Sequence, residues 1–255
     1  MPVVSIIIPV FNGATFLSEA LTSVQGQTFQ DFEVIVIDDA STDNSLEIIN
    51  SFCCMDSRFM CISLEKNVGG GAARNVGLMA ASARYVAFLD SDDFWFPKKL
   101  SIQLKMLESN DNVALVCSAF LSLFEDGFLK EINPPSSIDA NRLRYTNDIC
   151  CSSVLVDRKR AGDLRFPDIR YRQDWGLWLS ILQSRPIALC IDTPLLVYRN
   201  YGGISSKKSR VFIKQWEFFR EHCGYGLLQS CGYFVLYTLF GFSKATRHFA
   251  KRGKL

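Results

Sequence analysis

The runs VVSIIIPV (3–10), FEVIVIDD (32–39), RFMCISL (58–64), YVAFLD (85–90) and VALVCSAF (113–120) have apolar centres and no polar alternation. A strand that is apolar on both sides must be covered on both faces, which is the property of a parallel sheet. Segments of helical period separate the runs: TFLSEALTSV, STDNSLEIINSF behind an N-cap-like Ser or Thr, GAARNVGLMAA, and PKKLSIQLKMLES with Pro97 near its start. Residues 1–120 therefore specify an α/β fold with a mostly parallel central sheet and helices on both faces. Beyond them the rhythm changes. FEDGFLKEI reads as a hairpin, INPPSSIDANR as a loop, CCSSVLVD as a strand, QDWGLWLSILQ as a helix and PIALCIDTPLLVYR as one strand or two. This is expected to be a mixed extension of the same sheet. The chain divides into one domain over 1–220 and an apolar, then basic, tail over 221–255.

Composition narrows the function. A length of 255 residues allows one full core. The net charge of +2 gives no argument for nucleic acid. Nine cysteines include the adjacent pairs Cys53-Cys54 and Cys150-Cys151 but no CxxC, so reduced structural thiols are expected. The two histidines, His222 and His248, lie near the C-terminus, which argues against a Ser-His-Asp or His-rich metal site in the main body. The opening MPVVSIIIPVFNG lacks a basic segment and cleavage site, so a cytoplasmic location is expected.

Ligands of open parallel sheets bind at the carboxyl ends of the strands. Here the first run ends in Pro9, Phe11, Asn12 and Gly13, the second in Asp38 and Asp39, and the fourth in Asp90, Asp92 and Asp93; Arg74 lies on the helical segment before the fourth. PVFNGATF is no dinucleotide loop, and no GxxxxGK[ST] is present. NVGGGAARNVG opens a helix and is by itself a weak phosphate signal. Carboxylates are seldom buried without a partner, so Asp90, Asp92 and Asp93 call for a cation. Hard oxygen ligands at a strand end suit Mg²⁺ or Mn²⁺, which contacts one or two carboxylates and bridges to phosphate oxygens.

Together the segments VSIIIPVFNGATFLSEALTSVQGQTFQDFEVIVIDDASTDNS, NVGGGAARNVGL, YVAFLDSDDFWFPKKL and RQDWGLWLSIL resemble the inverting glycosyltransferases of family 2. The resemblance implies the GT-A fold, Rossmann-like, with a nucleotide-sugar donor. By it, Pro9, Phe11 and Asp39 hold the uracil and ribose of a UDP-sugar. Asp38 adjoins them, or serves only as a strand-end cap. Asn67 and Arg74 lie along the nucleotide, and Asp90 faces the ribose or sugar. Asp92 holds the metal, and Asp93 shares that duty, the doubled Asp leaving the register open. Asp174 is the general base that takes the acceptor hydroxyl proton. The resemblance further implies transfer of a hexose or N-acetylhexosamine to a polyprenyl-diphosphate-linked saccharide in surface polysaccharide (O-antigen) synthesis. Two departures stand out: Gln173 replaces the first acid of the usual pair before the tryptophan-containing helix, and Tyr201 stands where relatives often show His. Trp175 and Trp178 are acceptor platforms or core.

Two other functions fit parts of the pattern. A sugar nucleotidyltransferase wants a Gly-rich first loop with Arg or Lys, which PVFNGATF lacks. A non-catalytic sugar-nucleotide or carbohydrate-binding module fits the Gln173 departure but not the full set of carboxylates. The uncharged run Cys223–Ser243 precedes Lys244, Arg247, Lys251, Arg252 and Lys254. It spans a bilayer, packs on the domain, or lies at a membrane interface. The interfacial reading predicts peripheral attachment at the cytoplasmic face of the inner membrane.

Overall fold

The computed structural model describes residues 1–184, 187–201 and 208–252. The first half is regular: β1 (Val4–Val10), α1 (Ala14–Gln25), β2 (Phe32–Asp38), α2 (Ser45–Met55), β3 (Phe59–Ser63), α3 (Gly70–Ala80) and β4 (Tyr85–Phe88). A two-residue β5 (Phe94–Trp95), α4 (Lys99–Glu108), β6 (Leu115–Phe124), β7 (Leu129–Ile132), β8 (Ser137–Asp139) and α5 (Ala140–Leu143) follow. Then come a 3₁₀ turn (Cys151–Ser153), β9 (Leu155–Asp157), α6 (Arg158–Ala161), α7 (Gln173–Ser184), β10 (Ile187–Asn200), α8 (Lys208–Glu217), a π turn (Phe218–His222) and α9 (Leu227–Arg252).

The strands form one ten-stranded sheet in the order β3-β2-β1-β4-β9-β6-β10-β5, with β7 on β6 and β8 on β10. The β3, β2, β1 and β4 strands are mutually parallel, so their carboxyl ends lie along one edge. Their uninterrupted apolarity has the expected cause. Ile6, Ile8, Val34 and Val36 join a core with Leu17, Leu21, Leu100 and Leu104 on one face. Ile7, Ile35 and Ile37 alternate with them and join Phe88, Trp175 and Trp178 on the other. Gly77 brings α3 directly onto the sheet: a Cβ there would lie 2.5 Å from Ile7 Cγ2 and 2.8 Å from Ile37 Cδ1.

The second half extends the same sheet in mixed sense. β9 runs antiparallel to both neighbours, β4 and β6, while β10 is a single strand running parallel to β6 through two register shifts. FEDGFLKEI is the β6–β7 hairpin, turning at Gly127 with φ 80°. The loop expected over 132–142 contains β8 and α5, and only Leu155–Asp157 of the strand expected over 150–157 is extended. All nine cysteines are free, Cys117 and Cys190 buried in neighbouring strands.

The tail packs on the domain: Tyr233, Phe234 and Tyr237 of α9 lie against the core that Phe218 and Phe219, at the end of the domain, share with Trp175 and Trp178. The opposite side of α9 exposes Leu228, Val235, Leu236 and Leu239. Among the described residues no helix is long and apolar enough to cross a membrane. Of the tail cations, Lys254 lies outside the described residues, as do the side chains of Lys244, Arg247, Lys251 and Arg252.

Candidate active site

The β1–α1 and β2–α2 turns are laced together at the parallel strand ends. Asn12, at φ 51°, accepts through Oδ1 from Thr42 N at 2.8 Å, and Gly13 N donates to Ser45 Oγ at 2.9 Å. Phe11 is left half exposed on the rim, beside part-buried Pro9. Asp39 is buried, its carboxylate accepting from Val68 N at 2.7 Å and Gly69 N at 2.8 Å, while Asn67 Nδ2 donates to the Asp39 carbonyl at 3.3 Å. The loop before α3 thus closes over the end of β2, and Gly69 turns it with φ 88°. Asp38, also buried, accepts from Ser41 N and Ser63 Oγ, both at 3.3 Å, as a strand-end cap does.

The carboxylates after β4 have more cationic company than the local sequence suggests. Asp90 pairs with the guanidinium of buried Arg74, which also lies over the Phe166 ring at 5.5 Å. Arg199, distant in sequence, donates from Nη1 to the Asp92 carbonyl at 2.5 Å and from its backbone N–H to Asp93 Oδ1 at 3.0 Å, and pairs with Glu19. Asp93 is fully buried, and its other oxygen accepts from Ser152 Oγ at 2.5 Å. Ser152 Oγ in turn accepts from Asp90 N at 3.1 Å. Desolvation, then the charges of Asp90 and Asp92, hold the Asp93 carboxyl well above the usual range; desolvation and Asp90 also raise Asp92.

Asp92 sits differently. It is exposed, and among the described residues no hydrogen bond from another residue reaches its carboxylate. No group of three or more His, Cys, Asp or Glu among the described residues is arranged to hold a metal. The donor set fits a divalent cation held by one or two carboxylates and completed by phosphate oxygens, with Asp92 the accessible ligand. The raised carboxyls are consistent with that fit, because a bound cation relieves the repulsion that raises them.

Asp174 stands on the first turn of α7, part-buried, its Oδ2 accepting from Asn147 Nδ2 at 3.0 Å. Burial raises its pKa; the Trp175 N–H and the charges of Arg172 and Arg74 pull it down, and Asp90 pushes it up. Arg74 therefore acts electrostatically on both Asp90 and Asp174. Gln173 packs on α3: a Cβ at Gly71 would lie 2.7 Å from Gln173 Cδ. Trp175 and Trp178 are fully buried and belong to the core; Trp175 Nε1 donates to the Leu143 carbonyl at 2.5 Å. The Tyr201 ring lies 5.6 Å from that of Phe16 on α1. Sequence reasoning passed over Tyr198, whose phenol is raised by burial and by the charges of Cys150, Asp93, Asp90 and Asp92. It also missed Ser152 and Arg199, which carry no local motif.

Residues 5–160 match the family described as Glycosyl transferase family 2. The chain is 35% identical over 223 residues to a Bacillus subtilis glycosyltransferase, TuaG, whose name links it to teichuronic acid biosynthesis, covering 86% of this chain and 88% of that one. It is 34% identical over 217 residues to an Escherichia coli UDP-Glc:alpha-D-GlcNAc-diphosphoundecaprenol beta-1,3-glucosyltransferase, covering 84% of each. Among solved structures, S. aureus TarS 1–349 in complex with UDP superposes with a TM-score of 0.70 at 19% identity, covering 94% of this chain and 72% of that one. A Pyrobaculum calidifontis mannosyltransferase in complex with GDP-Man and Mn²⁺ gives 0.67 at 18% identity, covering 99% and 75%. At these identities the structures speak to the fold alone.

Behind the carboxylates lies a buried polar brace. Lys99 is fully buried, its Nζ donating to Gln103 Oε1 at 2.7 Å and the Val154 carbonyl at 3.3 Å and lying 4.0 Å from the centre of the Trp95 ring. Gln103 Nε2 donates to the Ser153 carbonyl at 2.7 Å and Trp95 Nε1 to the Ser152 carbonyl at 2.9 Å, so α4 and β5 grip the 3₁₀ turn that presents Ser152 to Asp93. Burial lowers the Lys99 pKa to about 7 from 10.5. Between those values the folded chain binds fewer protons than the unfolded one, so Lys99 makes stability rise with pH through that window. Lys99→Met should flatten the rise in melting temperature between neutral and mildly alkaline pH. An unchanged slope would place the Lys99 ammonium in water.

Proposed function

The chain belongs to glycosyl transferase family 2 and has the GT-A fold, and on that premise we propose that it moves a hexose or N-acetylhexosamine from a UDP-sugar to a lipid-linked saccharide, with inversion. The observation that carries this reading is the gathering of the β1, β2 and β4 ends on one edge, with Arg74 of α3 paired to Asp90 there and Gln173 of the first turn of α7 packed on Gly71 of the same helix. The E. coli relative named for a UDP-Glc donor and a diphosphoundecaprenol acceptor supports the substrate classes.

In the proposed mechanism Pro9, Phe11 and Asp39 hold the base and ribose, with Asp38 capping the adjoining turn. Asn67 and Arg74 flank the nucleotide and Asp90 meets the ribose or sugar. Asp92 holds Mn²⁺ or Mg²⁺, with Asp93 acting from behind by fixing the loop through Ser152 and Arg199. When bound, the cation neutralises charge on the departing diphosphate. Asp174 accepts the proton of the acceptor hydroxyl as that oxygen attacks the anomeric carbon, and its burial strengthens it as a base.

The apolar outer side of α9 and the cations that follow are proposed to rest on anionic lipid at the cytoplasmic face of the inner membrane, near a lipid-linked acceptor. Each Lys or Arg at such a surface contributes about 1 kcal/mol.

A panel of nucleotide sugars with Mn²⁺ should return one preferred UDP-linked donor. Asp92→Ala should abolish transfer and weaken UDP binding while the protein melts normally; near-normal turnover in EDTA-treated buffer refutes the metal assignment. Asp174→Asn should slow transfer by roughly 10²–10⁴-fold, the usual worth of a general base, at unchanged donor affinity. A loss of donor affinity at an unaltered rate would move Asp174 out of the mechanism. For the tail, sedimentation with anionic vesicles at low salt and release at high salt is expected. Equal sedimentation with neutral vesicles, or none with either, makes α9 a packing helix alone.

A further inference from the structure

Among the described residues three non-glycine residues have positive φ: Asn12, Ala40 and Arg172. The first two lie in the turns that follow β1 and β2. Arg172, at φ 63°, lies two residues before Asp174. Such a conformation persists only where the surroundings over-determine it, and here the surroundings come from the C-terminal helix. The Arg172 guanidinium donates from Nη2 to Tyr237 Oη at 3.0 Å and lies 5.7 Å from the Trp175 ring centre and 5.9 Å from that of Tyr237. The two rings are themselves 6.2 Å apart. At its other end, the Arg172 carbonyl accepts from Gly176 N at 2.9 Å and so opens the first turn of α7.

We propose that Tyr237 is a positioning residue for the general base: through Arg172 it fixes the turn that aims Asp174, which makes α9 part of the acceptor side of the active site. The inference rests on the reading of Asp174 as base. Besides Arg172, the groups that bear on Asp174 are Arg74 from α3, Asp90 from the end of β4, Cys151 from the 3₁₀ turn and the neutral amide of Asn147. Only Arg172 is held by α9. Its cation is one of the charges that draw the Asp174 carboxyl down, so freeing it lets that carboxyl rise. A base is active when deprotonated, and the acid limb of the rate profile then moves to higher pH.

Tyr237→Phe keeps the ring and removes only the acceptor oxygen. With the donor that the panel returns, kcat should fall about tenfold, the scale of a sub-ångström misplacement, and the acid limb should move upward. UDP binding with Mn²⁺, measured by calorimetry, should not change. Hydrogen exchange at the first turn of α7 should accelerate without any substrate. Arg172→Lys should give a similar loss, and the double variant less than the product of the two, because both act through one contact. Wild-type kcat and acid limb in Tyr237→Phe overturn the inference, even if its melting temperature falls. If Asp174→Asn transfers sugar at the wild-type rate, the base assignment and this coupling fall together. If Asp174→Asn is inert and Tyr237→Phe normal, only the coupling falls.

Discussion

The strands β1, β2 and β4 have no polar face. Ile6 and Ile8 point into one core and Ile7 into the other, and the same division runs through β2. Charge cannot be placed along such strands without a desolvation cost that one side chain does not recover. It is kept to the strand ends: Glu33 stands at the start of β2, bonded to Ser5 and Ser82, and the other acids gather where the strands stop, which for the parallel β1, β2 and β4 is one edge. The crowding of Asp38, Asp39, Asp90, Asp92 and Asp93 there follows from double coverage of the sheet.

The second half of the chain makes that crowding tolerable. Arg74 answers Asp90, while Arg199 and Ser152 occupy both oxygens of Asp93. Each partner arrives from a different element, so the carboxylate loop is tied to α3, to β10 and to the turn before β9. The outcome is a division of labour among near neighbours: Asp93 serves the loop, and Asp92 faces outward. Tight support of one group by buried polar partners is what keeps an adjacent group in register.

How much of this was legible depends on range. The β1–β4 strands, the helices between them and the strand-end acids are local patterns, written in hydrophobic period and in what terminates it. Arg199, Ser152, Lys99 and Gln103 were silent because their roles exist only across long separations; Arg199 and Asp93 stand 106 residues apart. The strand expected from CCSSVLVD shortened for the same reason. Ser152 and Ser153 are drawn into bonds with Asp93, Trp95 and Gln103, which hold the backbone in a 3₁₀ turn. Trp175 and Trp178 were ambiguous because a tryptophan on an amphipathic helix looks alike whether it packs or binds. Burial resolved them.

The placement of β9 between β4 and β6 also orders events at the ribosome. Tyr85 of β4 pairs with Asp157 of β9, so a nascent chain that has already formed β3, β2, β1 and β4 carries an apolar open edge until residue 157 emerges. Such an edge is a template for a neighbouring chain, and synthesis at about 5–20 residues per second leaves it uncovered for several seconds. The half that gathers the strand-end acids is therefore the half exposed to misassembly during translation, and the late segment that covers its edge is contiguous with the turn that holds Ser152.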